Sequence, residues 1–356
     1  SKDVTIPLSI SGTANLNDYS TAFTSKGIST VAGGNGRGSN SNQINDANGV
    51  FVDSSGNIYI SDVGNNRIMK WEPGATVGTV VAGGNGTGSA SNQLHYPMGI
   101  YVDSSGNLYI SDRENHRIMK WEPGATVGTV VAGGNGSGSE TNKLNIPIDV
   151  SVDSSGNIYV LDYINNRVMK WAPSASSGTL VAGGNGSGFA LNQFKNAYGI
   201  SVDNLGNIYV SDTFNNRVMK WALGATEGIV VAGGNGLGSA SDRLFRQQGI
   251  DLDSSKNIYM ADTENHRIMK WAPEATYGTL VAGGNGIGSN ANQLYFPKDV
   301  HVDSSGNIYI ADGGNNRIQI IRISPQITIA AGSTTGTVTF TGIDDATDEA
   351  DETIII

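Results

Sequence analysis

The sequence predicts an all-β protein in which residues 28–323 close into a ring of six four-stranded antiparallel sheets, with a smaller β unit made from both chain ends. Three observations carry this. The segment Val31-Ala-Gly-Gly-Asn-Gly36 recurs at Val81, Val131, Val181, Val231 and Val281, always 50 residues on and without an insertion. Apolar residues within each unit alternate with period two, the side-chain period of a strand. Glycine supplies 49 of the 356 residues, against a usual ~7%, so turns are frequent.

One unit shows the elements in order. Residues 99–103 (Gly-Ile-Tyr-Val-Asp) read as a first strand and Asp103-Ser-Ser-Gly-Asn107 as an Asx-type turn with glycine where positive φ is needed. Residues 107–112 (Asn-Leu-Tyr-Ile-Ser-Asp) and 117–121 (Arg-Ile-Met-Lys-Trp) read as the second and third strands, Pro123-Gly-Ala-Thr-Val-Gly128 as another turn, and 129–133 as the fourth strand. Four-stranded units repeating at 40 to 50 residues are the signature of a β-propeller. A helical solenoid would need helical periodicity, which the sequence lacks. The phase of the repeat predicts how the ring closes: residues 28–34 are a fourth strand without its first three, and 299–323 are three strands without a fourth. The N-terminal strand therefore completes the last blade, and residues 27 and 324 emerge side by side. In that blade Met-Lys-Trp becomes Gln319-Ile320-Ile321, a change the pattern assigns to packing.

The blade pattern Pro97-Met-Gly-Ile-Tyr-Val-Asp103, Gly106-Asn-Leu-Tyr-Ile-Ser-Asp112, Asn115-His-Arg-Ile-Met-Lys-Trp121 resembles the NHL repeat. The resemblance implies a six-bladed propeller. Members of that family range from peptide-processing lyases to RNA-binding and protein-binding modules, so the fold does not settle function.

The flanks, residues 1–27 and 324–356, differ in composition from the blades. Residues 324–356 hold six acids and no Lys or Arg. Val4-Thr-Ile-Pro-Leu-Ser-Ile-Ser-Gly-Thr-Ala14 with Asp18-Tyr19, and Ile327 to Glu352, resemble the two ends of a Calx-β domain, which implies one immunoglobulin-like sandwich with the propeller inserted in a loop. Strands are expected near 3–10, 326–330, 336–343 and 352–356, fewer than the roughly seven such a sandwich needs. The apolar end Thr353-Ile-Ile-Ile356 would leave an edge open to strand addition by identical subunits, and a head-to-tail contact that does not close makes a filament. The acids Asp18, Asp344, Asp345, Glu349 and Glu352 are the candidate Ca²⁺ ligands, since Ca²⁺ takes loop carboxylate oxygens and the resemblance points the same way.

Charge and composition exclude several classes. With 22 basic and 32 acidic residues the net charge is −10, which disfavours nucleic acid as partner. No run is apolar enough for a helical membrane span. The absence of cysteine removes thiolate catalysis and Cys-ligated zinc. Of four histidines, His116 and His266 share one repeat position three blades apart and cannot share a metal, whereas His301 falls in an inner strand and His95 just before one. A metal-dependent, lyase-like enzyme would lack its metal site, so the protein is read as non-catalytic.

Asp62 and Arg67 recur in all six units, which assigns them to fixing the turn between strands two and three. Asp53 and its copies are assigned to Asx turns. Copies diverge at positions 63 and 64, which read Val-Gly, Arg-Glu, Tyr-Ile, Thr-Phe, Thr-Glu and Gly-Gly, and at position 51, which reads Phe, Tyr, Ser, Ser, Asp and His. Placing this variation on one face makes Arg113, Glu114, Tyr163, Phe214, Tyr96 and Tyr198 the candidate ligand-binding residues. Sequons at Asn85, Asn135 and Asn185 are candidate glycosylation sites after the fourth strand. Together these observations favour an extracellular or cell-surface structural or adhesion protein that self-assembles by strand complementation. The alternatives are a monomeric module binding a glycan or cell-surface protein through the variable face, or a metal-dependent lyase-like enzyme.

Overall fold

The computed structural model describes residues 4–9, 26–322 and 335–340. The chain divides into two units, Ser25–Ile323 and a second drawn from both chain ends. The first contains six sheets of four antiparallel strands, as the 50-residue period requires. In the second blade these are Pro97–Val102, Leu108–Asp112, Arg117–Trp121 and Thr129–Gly133. The first strands of the six blades surround a central channel, and the fourth strands are outermost and partly exposed.

Alternation explains where the core lies. A blade buries both faces against its neighbours, so the apolar clusters form between blades. One cluster joins Tyr59, Ile68 and Ala82 of the first blade to Ile100, Ile110, Met119 and Trp121 of the second, and removal of this surface from water is the main force holding the ring. The tryptophan of the third strand packs flat on a glycine 7 residues later. A Cβ on Gly78 would lie 2.7 Å from the Trp71 ring, and Gly178 meets Trp171 at 2.9 Å in the same way.

Ring closure follows the sequence reading. Lys26–Gly33 pairs with Arg317–Arg322 in the register Ser29 opposite Ile320, Thr30 opposite Gln319 and Gly33 opposite Arg317. The altered last blade now has its cause. Ile321 replaces the tryptophan and Ile28, from the N-terminal strand, replaces the facing glycine; both belong to one apolar cluster. The ring closes here by exchanging one large and one small side chain for two of middle size.

In the second unit Val4–Ser9 pairs antiparallel with Thr335–Phe340, Val4 lying opposite Phe340. The rest of the expected sandwich lies outside the described residues. So do the strands near 326–330 and 352–356, the Ca²⁺ candidates Asp18, Asp344, Asp345, Glu349 and Glu352, and the apolar edge offered to identical subunits.

Candidate functional site

Each blade carries one buried ionic knot that fixes the loops of one face. In the third blade Asp162 is fully buried: Oδ1 accepts the Asn145 N–H at 2.7 Å, and Oδ2 accepts Asn165 Nδ2 at 2.8 Å and Arg167 Nε at 2.7 Å. Arg167 also donates to the Ser139, Glu140 and Lys143 carbonyls. The same Asp–Arg pair recurs in all six blades at 2.6–2.8 Å. Burial pushes the Asp162 carboxyl up, while the Asn165, Asn145 and Arg167 donors pull it back. The residue pair is structural, and it reaches further than the sequence reading allowed: it ties down the loop before the first strand as well as the 163–166 turn. Asp53 also behaves as expected, accepting the Ser55 and Asn57 N–H groups at 2.9 Å.

A second device links neighbouring blades on the same face. The residue after the 3₁₀ turn adopts the left-handed conformation, which asparagine tolerates well, and its side chain accepts the N–H of the next blade's loop. Asn66 accepts from Tyr96 at 2.9 Å and Asn316 from Asp46 at 2.8 Å across the ring closure. His116 and His266 stand at this position and accept through Nδ1 from Ile146 and Phe296, each at 3.1 Å. These histidines are inter-blade clasps. Burial pushes the His266 pKa down, consistent with a neutral acceptor ring. The His95 N–H is held by Asp112 at 2.7 Å.

The six sequence-chosen ligand residues all lie on or beside this loop face, but they form three groups. Arg113, Tyr163 and Tyr198 come together. The two tyrosine rings meet edge-to-face at 5.1 Å, Arg113 pairs with Glu114 at 3.2 Å, and burial beside Tyr163 pushes the Tyr198 hydroxyl up to about 12. Beneath them Val63, Met98 and Ile148 form a buried apolar cluster. Phe214 lies under the Arg246 guanidinium, 4.9 Å from its centroid, and Arg246 reaches Glu264 at 3.9 Å. Tyr96 stacks loosely on His95, with ring centroids 5.6 Å apart.

Position 51 requires a correction. The sequence reading put its variation on the loop face, but Phe51 pairs with Tyr59 and Tyr101 with Tyr109, next to the Asx turns at the opposite end of the first strand. Side chains at this position line a channel cavity of about 450 Å³. Phe51 packs on Tyr101 at 5.1 Å and on His301 at 4.4 Å, and His301 Nδ1 meets Asp251 Oδ2 at 2.9 Å. Higher in the channel, Asp149 accepts the Val150 and Ile200 N–H groups at 2.8 and 2.9 Å. Asp299 does the same with Val300 and Val50 at 2.9 and 3.0 Å. Burial pushes Asp149 up to about 7, and burial and the Asp149 charge push Asp299 up too, while the backbone N–H donors pull both back. Each aspartate occupies the space a Cβ on the preceding blade would take, with Asp149 Cα 2.7 Å from that point on Gly99 and Asp299 Cα 2.7 Å from that on Gly249. The signal was present: position 49 reads Gly, Gly, Asp, Gly, Gly, Asp around the ring.

The sequon residues are exposed, but their amides are engaged. Asn85 and Asn135 donate to the Asn92 and Asn142 carbonyls at 3.0 Å, and Asn185 to that of Asn192 at 3.1 Å. Asn35 and Asn285, which are not in sequons, make the same bond. Among the described residues there is no group of three or more His, Asp or Glu able to hold a metal ion.

The NHL repeat pattern matches residues 94–121, 144–171 and 294–321, the three blades whose first strand opens with proline. No curated protein is significantly similar in sequence. A Bacteroides thetaiotaomicron protein of unknown function has a similar structure. It is 15% identical, with 83% of this chain and 75% of that chain covered and a TM-score of 0.65. An auxiliary nutrient binding protein from Bacteroides ovatus is 12% identical, over 83% and 76% of the two chains, with a TM-score of 0.59. A gluconolactonase from Xanthomonas campestris is 13% identical, over 79% and 87%, with a TM-score of 0.59. At such identities the likeness is one of fold. Three of the blades thus match the NHL repeat, and the closed ring of six four-stranded sheets is a six-bladed β-propeller.

Proposed function

We propose that this protein is a non-catalytic binding module, working outside the cell or at its surface, whose loop face takes a protein or glycan ligand. One observation carries the reading. On a scaffold whose Asx turns and ionic knots are copied blade to blade, the loop-face positions that differ between copies, unlike position 51 in the channel, present half-exposed tyrosine, phenylalanine and arginine side chains. These residue types dominate binding hot spots. Tyr96 is 46% exposed and Phe214 38%, and Arg113 Nε is buried without a hydrogen-bond partner. The fold shared with an auxiliary nutrient binding protein fits a binding role.

The self-assembly reading concerns strands outside the described residues; electron microscopy of the purified chain separates the two, fibres supporting self-assembly and single particles supporting the binding module. Glycan arrays and displayed peptide libraries provide the ligand screen. Tyr163→Ala and Phe214→Ala should each weaken the selected ligand about tenfold or more. A ligand that ignores both changes would remove the loop face as its site. Eliminative cleavage of a substrate, abolished by a chelator, would instead establish the metal-dependent lyase-like alternative.

A further inference from the structure

The channel cavity on the side opposite the loop face is a separate feature. It is about 450 Å³, within the range of small-ligand pockets. Its lining stops at the level of Asp149 and Asp299, short of the buried Met98 and Ile148, so the opening is on the Asx-turn side. One wall is a shelf of three half-buried rings from adjacent blades, Phe51 with Tyr101 at 5.1 Å and His301 at 4.4 Å. The facing wall carries Ser151, Ser201 and Asp251 at the same repeat position.

Charge distinguishes this cavity from a neutral stacking site. Lys256, its one lysine, is drawn to Asn204 at 2.6 Å and Asp203 at 3.8 Å. It replaces the glycine of the other turns despite a φ of +65°. That pairing cancels one aspartate and a protonated His301 would cancel Asp251, yet Asp253 leaves the cavity anionic even with Asp149 and Asp299 protonated. A concave, low-dielectric wall of one sign concentrates ligands of the opposite sign, and aromatic faces attract organic cations by their quadrupole.

We propose that the channel cavity binds a small organic cation, an alkylammonium or quaternary ammonium group, on the Phe51–Tyr101–His301 shelf under the field of Asp251. The site is independent of the loop-face reading. It favours a cation over a sugar because only a cation gains from the cavity's net negative charge, whereas a neutral sugar would gain stacking and hydrogen bonds alone. A simple metal ion is disfavoured because Asp251, Asp149 and Asp299 already spend their oxygens on backbone N–H groups.

The test is calorimetric titration of the full chain with choline, with 3,3-dimethylbutan-1-ol as its uncharged isostere, and with glucose. Choline should bind saturably and weaken as salt rises, and the alcohol should bind at least about tenfold more weakly. Phe51→Ser and Tyr101→Ser should each weaken choline several-fold, beyond the modest loss of melting temperature expected because each ring also packs against a core cluster between blades. Equal binding of choline and the alcohol, glucose binding without choline binding, or no saturable choline binding in the millimolar range would each overturn the proposal. If either serine variant fails to fold, the choline-to-alcohol ratio on the unaltered protein still decides it.

Discussion

Replacing Asp162 with Asn changes one atom and tests whether the ionic knot, rather than turn chemistry alone, holds the loop face. Asp162 is fully buried, and its two oxygens accept three donors: the Asn145 N–H, Asn165 Nδ2 and Arg167 Nε. Asparagine offers one oxygen, and its NH₂ group must turn toward a donor. Arg167 would then keep its charge in a buried site with only carbonyls for company. Breaking a buried pair in this way costs ~3–5 kcal/mol. The same substitution at Asp153 provides the contrast. There the half-buried carboxylate caps an Asx turn, Oδ1 accepting the Ser155 and Asn157 N–H groups at 3.0 and 2.9 Å, a task asparagine performs well, and Oδ2 accepting Asn157 Nδ2 and the Tyr159 hydroxyl at 2.8 and 3.2 Å. The cost at Asp153, one weakened neutral-donor contact, should be about 1–2 kcal/mol. Urea unfolding of the two variants, with amide exchange of residues 139–146 as a local probe, gives the comparison. Similar losses in the two proteins would refute the assignment of the knot, because both carboxylates cap turns through several donors and only Asp162 is fully buried against an arginine.

Other predictions follow from the inter-blade contacts. His266 has a folded pKa below its ordinary 6.5, so its contribution is present above that value and is lost as pH falls through the lowered one. Melting scans between about pH 7 and 5 should show His266→Asn, which restores the acceptor found in other blades, losing less stability than the unaltered chain, with a difference of ~1 kcal/mol. Gly249→Ala puts a Cβ 2.7 Å from Asp299 Cα and should cost ~1–3 kcal/mol, read as a lowered melting temperature, whereas Gly74→Ala meets nothing within 4 Å and probes only its positive φ. Expression through a eukaryotic secretory pathway should leave Asn85, Asn135 and Asn185 mostly unglycosylated by mass spectrometry, since attachment at Nδ2 must break a loop hydrogen bond.

How much of this was legible depends on the reach of each interaction. Strands and turns are local: Asp103 and Gly106 specify a turn within five residues, and six repetitions remove doubt about the period. Ring closure was legible because the repeat is out of phase with the chain ends, and the Trp-to-Ile change at 321 pointed to the packing there. The channel was poorly legible because its contacts join first strands about 50 residues apart, such as Gly249 with Asp299. Asp149 and Asp299 stand out only when position 49 is compared around the ring, a comparison that the pattern within one unit does not prompt. Position 51 was misplaced because alternation tells which side of a strand a residue faces, not which end of the ring it approaches; the register with Tyr59 supplies that. The loop-face residues were found individually, but their division into three groups depends on ring contacts that spacing does not encode.

The closing strand has a consequence for synthesis. Lys26–Gly33 leaves the ribosome before every other strand of the propeller, yet its partner Arg317–Arg322 is the last of them to emerge. At ~5–20 residues per second, that eight-residue segment waits roughly 15 to 60 s beside a growing arc with two raw edges. Any cellular factor that shields unpaired strands would find its target in that interval, and a defect in closure would appear first as poor yield rather than as a lower melting point.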